Sequence, residues 1–527
     1  MILPEPQQPD RSLAVAGIIG VVVWLVLVRT AIASEAGLSF RPVSMVVSYE
    51  RLTLPGDETL GLLGIHLLAR HGKVYGGLAA FGAVTGQRGG FFTGGFEAGL
   101  RQPVSADWHL DIGLFAGAGG GGSAPQGGGM MLRSYAGLVY DPGAWRLGLG
   151  MTETRFPNGD IDSAQFSIAV ERSFELVTVS DRVPVDRTRF SRFLKDKPVD
   201  SQKRLLGVHY WSYQPVAGTR DTTGAVSDSS FGLVGFDMSC YHSDHVYSAV
   251  QMAGAVEGSA DGYAEVLLGL GWQQDWRTGW RWRNTLATGA AGGGGIATDN
   301  GLVARLTTGL QYRFARRWSM ALDAGYMKSF SGDFQTRVIG LQLGNRYQVP
   351  VIVRDSAAAS RLPSEQSWRP RLWRVRGSYL AYYPVGDSRR KNQSLPDRRR
   401  VDLLGAGIDL LRSGRQIYFS GSAAAAYDGG AGGYAVGLLG AGWRQPLSRD
   451  KRLNINAGLS FGAAGGGGLA VGGGLVWQAH LGLEYSLDRD VSAMLSGGRL
   501  AAPDGRLRAD IIMLSLAYRF ATLVSDD

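Results

Sequence analysis

Between Leu302 and Arg313 the chain alternates in kind. Ala304, Leu306, Thr308, Leu310 and Tyr312 fall on one side, and Arg305, Thr307, Gly309, Gln311 and Arg313 on the other. The same period sets Trp477, Ala479, Leu481, Leu483 and Tyr485 against Gln478, His480, Gly482 and Glu484. It also sets Phe166, Ile168 and Val170 against Gln165, Ser167, Ala169 and Glu171. A period of two predicts strands, because helical spacing would scatter these polar side chains around a cylinder.

The segments are organised by a repeat. The run Gly119-Gly120-Gly121-Gly122 returns at Gly292 and again at Gly465, each time 173 residues on. A constant offset means one unit present three times. Each unit divides into eight segments, which in the third begin near Gly377, Leu403, Ile417, Tyr434, Leu453, Leu475, Val491 and Leu507. Twenty-four strands are therefore expected. Links after the second, fourth and sixth segments are short (SGR, ARR, DRD), whereas those after odd segments are generally longer, as in 215–230 and 384–400. The units are expected over 42–176, 205–349 and 374–521, with charged, proline-bearing linkers over 177–204 and 350–373. In the first linker, RTRFSRFLKDK predicts a short basic helix.

Charge placement says which face meets which solvent. The charged residues share a face with small polar ones, and the other face is apolar with Trp and Tyr near segment ends, among them Trp108, Trp145, Trp272, Trp318 and Trp443. A charge facing lipid at mid-depth of a membrane barrel costs ~2–4 kcal/mol, so the apolar face is the lipid face. A mean hydropathy of −0.04 is too polar for a bundle of membrane helices but suits strands with one wet face. Glycine supplies 78 of 527 residues without a collagen period, and only 19% are charged, which argues against disorder. The single cysteine, Cys240, rules out an internal disulfide framework. A net charge of +9 is modest for this length, and no nucleic-acid-binding strand pattern accompanies it.

At the N-terminus, residues 13–28 form an apolar run followed by Ala31-Ile32-Ala33. This predicts a signal helix cleaved before Ser34, so that residues 1–33 are removed on export. Glu5 and Asp10 depart from the usual basic leader, and a retained anchor is the alternative.

With these features together, the chain resembles the bacterial outer-membrane β-barrel proteins, in particular the small eight-stranded barrels taken three in tandem. The closing segment IIMLSLAYRF is similar to the C-terminal strand that the barrel-assembly machinery recognises, although ATLVSDD follows Phe520. The resemblance implies an all-β fold of transmembrane antiparallel barrels, either three eight-stranded units or one 24-stranded barrel. It also implies the outer membrane of a Gram-negative bacterium as location, with membrane lipid and lipopolysaccharide as surroundings. The role it implies is non-enzymatic: a pore or an envelope scaffold. A lipid A-modifying enzyme and a surface-binding adhesin are the alternatives.

Several residue groups bear on those roles. If a lumen exists, inward Arg133, Arg305, Gln311, Gln478 and Glu484 line it and set selectivity for small solutes. Inward Gly, Ala and Ser, as in GSAAAAY and MALDAGYM, predict voids or water inside a narrow barrel. Arg389, Arg390, Lys391, Arg398, Arg399 and Arg400 crowd one long loop, where guanidinium groups suit lipopolysaccharide phosphates or an anionic polysaccharide. The glycine runs lack the Lys and following helix of a phosphate cradle, and read as loops or as strand ends where backbones approach closely. Cys240, His242, Asp244 and His245 have metal-ligating chemistry but sit in one turn, which splays adjacent side chains. Asn158, Asp160 and Asp162 resemble half a calcium loop without its closing Glu. For hydrolysis, His209 with Ser212 and His480 with Glu484 are the candidates, but no such set recurs between the units, and His209 and Ser212 fall on opposite strand faces. No metal or cofactor site is expected from these groups.

Overall fold

A computed structural model describes residues 38–143, 145–179, 199–352, 368–411 and 416–525. The signal segment, the basic helix expected near residue 189 and most of the second linker lie outside the described residues.

The described chain folds into antiparallel strands. The first eight are β1 (Leu38–Thr53), β2 (Thr59–His71), β3 (Val74–Thr85), β4 (Phe92–Pro103), β5 (Trp108–Gly120), β6 (Met130–Tyr140), β7 (Trp145–Arg155) and β8 (Asp162–Val179). The next are β9 (Val199–Pro215), β10 (Phe231–Tyr241), β11 (Val246–Glu257), β12 (Ala264–Arg277), β13 (Trp280–Gly292), β14 (Leu302–Arg313), β15 (Trp318–Ser329) and β16 (Gln335–Ile352). The last are β17 (Trp368–Pro384), β18 (Val401–Leu411), β19 (Ile417–Asp428), β20 (Ala435–Pro446), β21 (Leu453–Gly465), β22 (Leu475–Ser486), β23 (Val491–Ala501) and β24 (Arg508–Ser525).

Each strand pairs with its sequence neighbours inside a block of eight. The block is then closed by its ends: β1 pairs with β8, β9 with β16 and β17 with β24. Closure leaves no strand edge along the body of any of the three rings, which matters where water cannot satisfy an open backbone.

The faces are inverted relative to a water-soluble protein. On β14, Leu306 is 59% exposed while its neighbour Arg305 is 1% exposed; on β8, Phe166 is 70% exposed and Gln165 8%. Apolar side chains cover the outside and polar ones fill the inside, as the alternation predicts. Exposed Trp108, Trp145, Trp272, Trp318 and Trp443 all stand at the short-turn ends of their strands.

The expected voids are present in part: Ser422, Ala423 and Ala424 of GSAAAAY border a cavity in the third ring, whereas several inward glycines are sockets. A Cβ on Gly99 of β4 would meet the Tyr75 ring at 2.4 Å, one on Gly271 of β12 the Tyr247 ring at 2.0 Å, and one on Gly442 of β20 the Tyr418 ring at 2.1 Å. The same Tyr-on-Gly contact thus recurs in every ring. Each large ring occupies the space that its glycine leaves.

Strands also run further than the unit boundaries expected. β8 continues to Val179, β16 to Ile352 and β24 to Ser525, while β9 starts at Val199 and β17 at Trp368. Part of each expected linker is therefore strand, because the extended ends pair with one another. Glu175 pairs with Ile352, Gln348 with Ser525 and Ala521 with Val179. Positions 175, 348 and 521 are spaced by 173, as are 179, 352 and 525, so each tail meets the next ring in a cycle. The residues ATLVS after Phe520 belong to this join, which gives a structural reason why the strand does not end at Phe520. Through these tails all twenty-four strands form one hydrogen-bonded sheet.

The opposite ends of the rings meet in the same cyclic sense. β3 lies against β13, β11 against β21 and β19 against β5. A head-to-tail contact that closes after three steps sets the rings around a common axis. Apolar side chains reinforce it: Ala118 and Met130 pack with Leu404 and Tyr427, and Phe96 packs with Tyr518.

Candidate functional site

Two places concentrate the chemistry: the ring interiors, and the seam where the glycine runs meet.

In the first ring, β6 aims Arg133 at Glu50 of β1, 3.0 Å away, and Thr152 donates a 2.9 Å hydrogen bond to the same carboxylate. Nearer the short turns, Arg101 bridges Asp111 at 2.6 Å and Glu171 at 2.8 Å, and Arg146 reaches Glu171 at 2.7 Å. In the second ring, Arg305 pairs with Glu265 at 2.6 Å and takes Tyr213 Oη as a further acceptor. Its guanidinium lies 4.4 Å from the centre of the Trp211 ring. Arg283 pairs with Asp323, and Gln342 ties both Arg283 and Asp237 into the network. In the third ring, Arg374 contacts Asp409 at 2.8 Å and Glu484 at 2.7 Å, and Arg444 joins Glu484 at 2.7 Å.

The five residues expected to line a lumen are therefore all inward. Arg133, Arg305 and Glu484 are locked in buried ion pairs. Gln311 donates to Ser319 at 3.1 Å. Gln478 lines a cavity in the third ring, where its Oε1 and both ring nitrogens of His480 have no protein partner. Arg133, Arg305 and Gln478 occupy one register position, 172 and 173 residues apart. Sequence reasoning missed their partners Glu50, Glu265, Arg374 and Arg444. The available signal was their polar character at inward parity within apolar strands.

The long-loop mouths are filled. Phe81, Phe91, Phe115, Phe156 and Ile161 cluster in the first ring, Tyr213, Phe231, Tyr263 and Phe334 in the second, and Tyr382, Leu403, Tyr434 and Leu469 in the third. Phe91, Tyr263 and Tyr434 stand at corresponding positions and are at most 1% exposed. Each interior thus runs from an apolar stopper to an ion-paired layer.

One constellation has the connectivity of a nucleophile, base and orienting acid. Ser48 Oγ lies 2.8 Å from His66 Nε2, and His66 Nδ1 lies 2.5 Å from Glu97 Oε2. All three are buried beneath the Phe81 stopper. At the same register the second ring carries His209 with Asp237 at 3.4 Å, and the third carries Ser378 and Gly407, with Arg376 and Asp409, 3.5 Å apart, one inward step nearer the short turns. Ser–His and His–Asp pairs at one level of two rings bring buried polar groups together and give them partners.

The remaining sequence candidates disperse. His242 contacts Ser248 Oγ at 2.9 Å, His245 the Gln273 carbonyl at 3.0 Å, and Asp244 pairs with Lys203 at 2.6 Å. Asp162 pairs with Arg155 at 3.3 Å. Within the basic loop, Arg389 pairs with Asp387, Arg390 and Arg399 with Asp397, and Arg400 with Asp402. Arg398 donates to the Gly386 carbonyl, and Lys391 reaches across to Asp261 of the second ring at 2.6 Å. Burial works against the charge on Asp397, but hydrogen bonds from Arg399 and Arg390 outweigh it and hold this carboxyl well below the usual carboxylate range.

The glycine runs sit where the rings touch. A Cβ on Gly90 would stand 2.3 Å from Gly293 N, one on Gly465 2.2 Å from Gly262 N, and one on Gly433 3.0 Å from Gly121 N. Gly89 N donates to the Asp299 carbonyl at 2.6 Å across the same seam. These are strand ends where backbones approach closely, and the partner in each case is the next ring.

No protein-family model and no curated protein matches the chain. Solved structures that align with it include a mutant of the ferric enterobactin receptor PfeA from Pseudomonas aeruginosa, at 11% identity over 91% of this chain and 80% of that one, with a TM-score of 0.26. The siderophore receptor PirA from Acinetobacter baumannii aligns at 9% identity over 91% and 80%, with a TM-score of 0.26. OpdQ from Pseudomonas aeruginosa aligns at 11% identity over 92% and 97%, with a TM-score of 0.21. Likenesses this weak carry no argument about this chain, whose architecture rests on its own strand pairing.

Proposed function

We propose that this chain is a non-catalytic, integral outer-membrane scaffold: three eight-stranded barrels, repeated over about 42–176, 205–349 and 374–521, held as a trimer within one polypeptide. The observation that carries the membrane reading is the inversion of faces, with Leu306 outside and Arg305 paired inside. The three-barrel reading is supported by the closing pairs β1–β8, β9–β16 and β17–β24. In this reading the short turns face the periplasm, the long loops face outward, and β24 is the strand read by the assembly machinery after export by a signal segment.

Filled interiors favour a scaffold over open passage. Arg133, Arg305, Gln311 and Glu484 then serve as internal ties rather than as a selectivity lining. Planar-bilayer recording tests this: the purified chain inserts and stays electrically silent. Large, steady unitary steps from the unmodified chain would overturn it. Gated passage through the third ring is the second reading, favoured by the cavity at Gln478 and His480. Steps that appear in Tyr434→Ala and are altered by His480→Ala would support it.

A further inference from the structure

The second ring is electrically polarised from end to end, and the other two lack this arrangement. Its short-turn segments 241–246, 274–281 and 312–318 carry Arg277, Arg281, Arg313, Arg316 and Arg317 against two carboxylates, Asp244 and Asp275. Its long loops, 216–230, 257–263, 293–301 and 330–334, carry the single cation Arg220 against six carboxylates. In the first ring the corresponding short-turn segments 70–75, 102–108 and 140–145 balance, with two cations and two carboxylates; in the third, segments 411–417, 446–453 and 486–491 carry six cations against three carboxylates, but its long loops are basic as well, so it has no polarity from end to end.

The same rim holds the densest group of outward aromatics. Trp276, Trp280, Trp282, Phe314 and Trp318 are all exposed, Trp276 by 59%. They are organised: Trp280 and Tyr312 lie 4.7 Å apart between ring centres, and the Arg277 guanidinium lies 5.2 Å from the centre of the Trp276 ring. Indole and phenyl groups prefer the boundary between acyl chain and headgroup. Guanidinium groups just beyond them stand at headgroup height, where phosphate is the complementary partner.

We infer that the short-turn rim of the second ring, from β12 to β15, is a docking surface for anionic phospholipid headgroups. It orients the assembly with this rim toward the anionic-phospholipid leaflet. The rings anchor the acyl chains through the aromatic side chains while the arginines hold the phosphates. The opposite, acidic rim repels the same headgroups, so polarity and anchoring act together. This rests on the membrane-spanning reading above.

The test uses the full mature chain purified in detergent and equilibrated with equal amounts of phosphatidylglycerol and phosphatidylethanolamine. Lipid that stays bound is read by native mass spectrometry. A basic residue near an anionic lipid surface contributes roughly fivefold to binding. The double variant R277Q/R313Q is therefore expected to lose phosphatidylglycerol retention by at least tenfold. Q393A/S394A in the long loop of the third ring is expected to lose none. Equal retention of the two lipids by the unmodified chain, or unchanged retention by the double variant, overturns the inference. Displacement of phosphatidylglycerol by millimolar inorganic phosphate also overturns it, since a bare anion site would then suffice, as does displacement by equimolar lipopolysaccharide. Folding of the variant is checked by heat-modifiable gel mobility. Bilayer insertion is scored separately: a chain that fails to insert sinks the membrane reading, whereas one that inserts without lipid preference sinks only this inference.

Discussion

Substituting Gly465 by Ala separates the seam from the rings it joins. Gly465 closes β21, and no left-handed backbone is required there, so an alanine introduces bulk without dihedral strain. Its Cβ would lie 2.2 Å from Gly262 N and 2.4 Å from Gly262 Cα on the second ring. Ordinary contact between such atoms is about 3.5–4.0 Å, so the two backbones must part by roughly 1–1.5 Å. Neither atom belongs to a flexible side chain that could swing away. Overpacking of this kind costs ~1–3 kcal/mol. The matched control is Gly437→Ala on β20, where a Cβ meets nothing within 4 Å. Equilibrium unfolding in detergent, followed by tryptophan fluorescence, should show Gly465→Ala destabilised by that amount and the control unchanged. Amide exchange should rise at the seam, at Gly262 and Gly466, before it rises in the bodies of the rings. If Gly465→Ala matches its control in both measurements, the glycine runs are not what brings the rings together.

Two further predictions concern charge. Arg305→Ala strands Glu265 in the closed second ring and should cost ~3–5 kcal/mol, whereas Arg305→Met with Glu265→Gln should recover most of that in the same unfolding assay. Asp397 ionises more readily in the folded loop than in an open chain, where a carboxyl titrates near ~4. The folded loop therefore binds fewer protons across that window. Its stabilisation is complete above about pH 4 and is lost as pH falls toward the depressed folded value. Protection factors over 385–400, the exchange rates corrected for the intrinsic pH dependence, should fall on acidification through that range, and in Asp397→Asn they should already be low at neutral pH.

The strands were legible because a residue's parity decides whether it faces outward or into the interior, and Leu302–Arg313 shows that parity plainly. The repeat was legible from the glycine runs alone. Their purpose was not: a glycine seated against Gly262 of another ring has the same sequence signature as a loose loop. Closure was equally hidden, since periodicity says which way Val46 points and nothing about whether its partner lies in β8 or β24. Some inward glycines looked like voids because the tyrosines that fill them, such as Tyr75 over Gly99, come from a neighbouring strand, whereas Ser422, Ala423 and Ala424 do border a cavity. The cationic loop looked free because Arg389 to Arg400 reads as a run, yet Asp387, Asp397 and Asp402 lie in or beside it and pair with most of it. Glu50, Glu265 and Arg374 sit at the same inward parity as their partners Arg133, Arg305 and Glu484, yet parity alone does not say which inward charges meet.

The most direct test of the account is disulfide trapping between first and last strands of each block, in a Cys240→Ser background. The pairs are Ser44 with Ser173, Val208 with Leu343, and Ser378 with Ser515, each directly opposed across a closing ladder. Cysteines at each pair should cross-link rapidly in the folded, membrane-inserted protein. Absence of all three links, together with efficient trapping of Ser48 in β1 against Ser515 in β24, would mean a single large barrel and contradict three closed rings.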